Sequence, residues 1–113
     1  VMEIRFVRSS HKSYYAAQRR RGSQQQAPRD SFITGFVAWG KAWKQLRYRT
    51  VIIGIHELYG ASRDEKISFV RLLNRVVDHE LSHAFQGPED LLTYKADEAL
   101  ANRFEMAGDW ARR

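Results

Sequence analysis

The chain has 113 residues, 43% of them hydrophobic and 12% aromatic, with no cysteine and a formal net charge of +6. That length builds one hydrophobic core and not two, which predicts a single domain over residues 2–113. The lack of cysteine excludes disulfide and thiolate chemistry and suits a reducing, cytoplasmic setting; the longest apolar run, Val51-Ile52-Ile53-Gly54-Ile55, is far too short to span a bilayer, so no membrane partner is expected.

Val1 precedes Met2, which reads as the natural start, and no signal peptide follows. Met2 to Arg8 alternates apolar and charged residues, the pattern of a half-buried strand. His11 to Arg21, with Tyr14, Tyr15, Ala16 and Ala17, suits a short helix, and Gly22 to Pro28 is a polar loop. Phe32 to Trp43 and Tyr48 to Leu58 are expected as two strands joined by a basic turn at Lys44-Gln45, although Ala38, Lys41 and Ala42 would also suit a helix. His56-Glu57 falls in the second of these strands. Gly60 stands where a partner histidine would be needed, so His56 is expected to be structural or to line a cleft.

The next segment holds the most informative residues. Ile67, Phe69, Val70, Leu72, Leu73, Val76 and Val77 recur at helical spacing and form a buried stripe. Ser62-Arg63-Asp64-Glu65 reads as a capping box, and Gly87-Pro88 as the stop, which predicts one helix from an N-cap at Ser62 to Gly87. Near its C-terminal end lies His79-Glu80-Leu81-Ser82-His83, an H-E-x-x-H motif. On a helix the two imidazoles project one turn apart from one face, so they can grip one metal ion with Glu80 beside them. Neutral imidazole suits Zn²⁺, and a catalytic zinc keeps an open position for water, lowering its pKa to about 7. A glutamate beside that water can take its proton during attack on a carbonyl and return it to the leaving amine. The expected reaction is hydrolysis of a peptide bond.

A third ligand must come from elsewhere, and no histidine follows His83. The downstream helix, from Tyr94 to Glu105 and beyond, offers carboxylates; its core stripe is expected to be Ala96, Ala99/Leu100, Phe104, Ala107 and Trp110/Ala111. Glu98 and Asn102, four residues apart, share a face beside that stripe.

H-E-x-x-H followed on the next helix by Glu98-Ala99-Leu100-Ala101-Asn102 resembles the gluzincin zinc metallopeptidases. The resemblance covers roughly residues 62 to 108. It is closest to the minigluzincins, minimal soluble catalytic domains whose described members are zymogens, with related likeness to ImmA/IrrE-type peptidases and to the cores of membrane CAAX-processing and heat-shock peptidases. It implies an α+β zincin-like domain in which a small antiparallel or mixed sheet and a backing helix accompany the active-site helix and the glutamate helix. It also implies Glu98 as third zinc ligand, Asn102 as the outer partner that orients His79, and Glu80 as general base. Asp97, one residue from Glu98 and about 100° round the helix, is the competing ligand, while Glu105 stands two turns on and falls outside the set. In this architecture the strand before the active-site helix, here Val51 to Leu58, would form the cleft rim and pair with extended substrate.

Gluzincins also use a downstream side chain on the oxyanion, for which Tyr94 and Arg103 are the candidates. Latency implies a terminal segment over the cleft, and Asp109 carries a carboxylate that could fill the fourth metal position. The partners expected are a peptide or unfolded protein substrate, with self-association compatible. Two other readings stand beside the peptidase. Arg19-Arg20-Arg21, Arg47 and Arg49, near Tyr14, Tyr15, Trp39, Trp43 and Tyr48, could meet nucleic acid through phosphates and bases, although no nucleic-acid motif is complete. Alternatively a filled fourth position would leave a purely structural zinc protein.

Overall fold

The computed structural model describes residues 2–14, 34–42, 46–86 and 94–113, with the backbone alone at 38–42, 46–48 and 94. Its elements are β1 (Met2–Val7), α1 (described over 10–14), β2 (Gly35–Ala42), β3 (Leu46–Gly54), α2 (Ile55–Glu65), α3 (Phe69–Gln86) and α4 (Tyr94–Ala111). This is an α+β arrangement with a mixed sheet. The strand order is β1-β3-β2, with β3 parallel to β1 and antiparallel to β2. The β2–β3 pairing agrees with the two expected strands, and α1 begins where a helix was expected. The remainder of that helix, the 22–28 loop, the turn at 44–45 and the Gly87-Pro88 stop lie outside the described residues.

The core forms where two periodicities meet. Val51 and Ile53 alternate on β3 and turn to one face of the sheet, and the stripe of α3 that carries Leu72 and Ala84 covers them. Leu58 on α2 completes the buried group, flanked by partly buried Phe69, Leu73, Val76 and Val77. Ile4 and Phe6 pair in register with Val51 and Ile53, yet both remain exposed because β1 is an edge strand beyond the cover of α3.

Three expectations need correction. The strand expected to reach Leu58 stops at Gly54, and residues 55–58 open α2. A distant partner decides this: the buried Glu57 carboxylate accepts from Ser9 Oγ (2.7 Å) and from the N–H groups of Ser10 and His11 (both 3.2 Å), capping α1 from α2. Exposed His56 only begins the helix, its N–H donating to Arg8 O at 3.1 Å.

Secondly, Ser62 does not start the active-site helix; it lies in the last turns of α2. Lys66 takes a left-handed conformation (φ 56, ψ 40), its N–H reaches Arg63 O, and Ile67 N–H reaches Ser62 O at 3.1 Å. The Ser62 hydroxyl donates across the break to Ile67 O at 2.6 Å. The N-cap of α3 is Ser68, whose Oγ accepts the Arg71 N–H at 3.2 Å.

Thirdly, α4 shows the opposite face from the one expected. Ala101 and Asp109 are buried, whereas Leu100, Phe104 and Trp110 are exposed. Helix α4 runs antiparallel to α3 along a ladder of charges. Arg71 forks onto Asp109 (2.9 and 3.0 Å), Arg113 adds a second contact to Asp109 (2.9 Å), Arg75 meets Glu105 (2.7 Å), and Asp78 meets Arg112 (2.7 Å). Gly108 leaves room there for the Asp78 carboxylate, since a Cβ at that position would overlap Asp78 Oδ2.

Candidate metal centre

Helix α3 places His79 and His83 one turn apart on the side facing α4, and α4 returns antiparallel so that Glu98 stands opposite both. Glu98 Oε1 lies 2.9 Å from His79 Nε2, and Glu98 Oε2 lies 2.9 Å from His83 Nε2. The two imidazole Nε2 atoms are 3.2 Å apart, and the rings meet edge to face with centroids at 4.9 Å. An ion held tetrahedrally at about 2.0–2.1 Å sets its ligand atoms about 3.3 Å apart. The spacing here matches that edge with a small contraction, so these three side chains could hold a metal ion. Asp97, the competing acid, is not part of the group; its backbone carbonyl instead accepts from Gln86 Nε2 at 3.2 Å.

The outer partner of His79 is Glu105 rather than Asn102. Glu105 Oε1 stands 3.1 Å from His79 Nδ1, and Arg75 holds the other carboxylate oxygen. Helical phase explains the difference: seven residues from Glu98 return to within about 20° of its direction, whereas four residues on leaves Asn102 about 40° round on the other side. Asn102 is accordingly exposed. Burial by itself would lower the His79 pKa, but the bond to Glu105 and the nearby charges of Glu80, Glu98 and Glu105 outweigh it and raise the pKa. Burial likewise pushes Glu105 up, and its bonds to His79 and Arg75 more than reverse that and leave it lowered.

The spacing carried a signal that motif matching passes over. Arg75 and His79 stand four apart on α3, and Glu98 and Glu105 seven apart on α4, so each pair occupies one face. Only the antiparallel packing shows that the faces meet.

Glu80 follows His79 on α3 and turns toward the sheet. Its Cγ lies 3.2 Å from where a Cβ on Gly35 would be, at the first residue of β2. The absence of a side chain at Gly35 therefore makes room for the Glu80 stem. The strand expected to pair with substrate is not an edge strand. β3 is central and paired on both sides, so it has no edge to offer; among the described residues the outer edge of β2 pairs with no other strand.

The remaining candidates stand apart from the three-residue group. Asp109 is buried with Arg71 and Arg113, which hold its carboxyl well below the usual carboxylate range, so it is engaged in ion pairs and does not join His79, His83 and Glu98. Arg103 is exposed on the side of α4 turned from α3, and the side chain of Tyr94 lies outside the described residues. Of the residues named for nucleic acid, Arg49 donates to Ala84 O at 2.8 Å and Tyr14 packs edge-on against Phe36 at 5.3 Å. Arg19-Arg20-Arg21 and the Arg47 side chain lie outside the described residues. Among the described residues no helix is long and apolar enough to cross a membrane.

Comparison with protein-family models, with curated proteins and with solved structures finds no match to this chain.

Proposed function

We propose that this protein is a zinc-dependent endopeptidase of the gluzincin type, with His79, His83 and Glu98 as metal ligands and Glu80 as general base. The observation that carries the proposal is the convergence of two imidazoles and one carboxylate from adjacent helices, beside a glutamate that is not among them. Two nitrogens and one oxygen form the donor set of catalytic zinc, which keeps one further position for water or substrate. Bound there, zinc would acidify a water molecule and polarise a carbonyl.

The chain's own groups divide the remaining work. Glu105 accepts the Nδ1 proton of His79 and so directs Nε2 of that ring toward Glu98, and Arg75 keeps Glu105 ionised and in place. Glu80, beside His79 in sequence and with its stem against the start of β2, would take a proton from water and pass it to a leaving amine. An extended peptide pairing with the outer edge of β2 would run past that carboxylate, so the substrate class is an unfolded or extended polypeptide.

The test separates ligand from base. Glu80→Gln should keep its full complement of zinc while cleavage of an unstructured protein falls by about 10²- to 10⁴-fold. Glu98→Ala should lose zinc. Cleavage that persists undiminished in a Glu80→Gln preparation free of contaminating protease would overturn the proposal, and zinc lost on Asp97→Ala but kept on Glu98→Ala would reassign the third ligand.

A further inference from the structure

Helix α4 is amphipathic in an inverted sense. All four of its acids, Asp97, Glu98, Glu105 and Asp109, lie on or beside the side that meets α3, where Glu98, Glu105 and Asp109 are taken up by histidines and arginines. The opposite side carries Leu100 (52% exposed), Phe104 (49%) and Trp110 (78%), with Met106 (47%) at its edge, where Arg75 Nη2 reaches Met106 Sδ at 3.5 Å. Of the charges on or beside this outer side, Lys95 and Arg103 are cations and exposed, and Asp97, seven residues before Phe104, is half-buried at its edge. A globular domain normally leaves large apolar side chains exposed singly, and a set of three along one helix marks a contact surface.

We propose that the outer face of α4 is a docking surface for an anionic lipid bilayer, on which the protein lies peripherally with α4 parallel to the membrane plane. Three observations select this occupant. The face is apolar and its fully exposed charges, Lys95 and Arg103, are both cations, with half-buried Asp97 at its margin, which complements a surface that is apolar within and anionic at its headgroups. It is also a ridge, because α4 packs extensively on α3 alone among the described elements; a partner helix seeks a groove between elements, whereas a bilayer accepts a ridge. Finally, Arg103 stands near the middle of the helix, so a two-fold pairing of α4 with a second copy about its centre would set two guanidinium groups against each other. On a membrane the same side chain can lay its stem along the apolar face and lift its charge to the phosphates.

The experiment is flotation of the full chain with vesicles of phosphatidylcholine alone and of phosphatidylcholine with phosphatidylglycerol. The wild-type chain should float with the anionic vesicles and stay behind with the neutral ones. Phe104→Gln/Trp110→Gln keeps every charge and touches no residue of the α3–α4 ladder, so it should fold like the wild type by circular dichroism and lose most of the binding. Lys95→Gln and Arg103→Gln should each weaken binding by about fivefold. Three results would overturn the proposal. One is no flotation with either vesicle. Another is flotation that the double glutamine variant leaves unchanged, which would mean adsorption through net charge alone. The third is a dimer that the same variant abolishes without any effect on vesicles, which would assign the face to a second copy. None of these outcomes depends on zinc or on peptidase activity.

Discussion

At the scale of single residues, the question is how His79 is kept in the tautomer and pose that direct Nε2 at Glu98. Glu105 does this from the next helix, and it is itself held by Arg75, so the ring is fixed by a three-member relay and not by the motif that contains it. Outer partners of this kind typically carry a 10- to 100-fold effect on metal affinity. Glu105→Gln should therefore weaken zinc binding by about 10- to 100-fold, measured by competition with a chromogenic chelator. Asn102→Ala should leave the constant unchanged, because Asn102 is exposed. An equal loss in the two variants would mean that Glu105 acts through general stability and not through His79.

At the scale of elements, two junctions determine how α3 is presented to the rest of the fold. Lys66 closes α2 in the left-handed region, where a side chain costs about 1 kcal/mol and glycine costs little. Lys66→Gly should raise the free energy of unfolding by up to about 1 kcal/mol in chemical denaturation and leave zinc binding alone. A destabilised variant would show that the lysine side chain contributes contacts of its own.

The second junction is the cap that Glu57 places on α1. Burial alone would raise the Glu57 pKa, but bonds from Ser9, Ser10 and His11 lower it below the ordinary 4.5. A carboxylate whose folded pKa is depressed contributes stability above its unfolded pKa and loses it as pH falls through the folded value. Glu57→Gln should thus cost about 1–2 kcal/mol at pH 7. The gap to wild type should shrink as the pH drops below 4.5. Urea titrations at neutral and acid pH would check both the size and the trend.

At the scale of the whole molecule, α4 is attached to the rest of the fold through ion pairs and the candidate metal group, with little apolar burial between the helices beyond Ala101. A metal that bridges His79, His83 and Glu98 would clamp α4 to α3, and its binding energy would also be folding energy. Saturating zinc at about 100 times its dissociation constant adds about 2.7 kcal/mol, or a rise in Tm on the order of 10 °C for a chain of this size. Chelation should reverse that rise. It should also increase amide exchange over Tyr94–Ala111 more than over β3, whose Val51 and Ile53 stay buried in the apolar core. Uniform exchange across both segments would argue that the metal holds the whole fold and not the clamp.

The elements legible in the sequence are those whose signal is local. The stripe from Ile67 to Val77, the H-E-x-x-H spacing that follows it and the β2–β3 pair follow from periodicity and side-chain chemistry that each segment carries for itself, whereas Glu98 is singled out by the resemblance. Packing decided the rest. Ser62 to Glu65 satisfies the pattern of a helix start, yet it ends a helix because Leu58 and Glu57 find their partners by folding 55–65 as α2. The apolar residues of α4 formed a stripe that periodicity alone assigns to the core, but the facing side of α3 is charged, and its arginines turn the acids inward and the apolar residues out. Glu105 belongs beside His79 for the same reason. Periodicity tells which residues share a face, and only the neighbour across the interface determines which face is buried, because burial depends on what each side chain meets and not on the side chain alone.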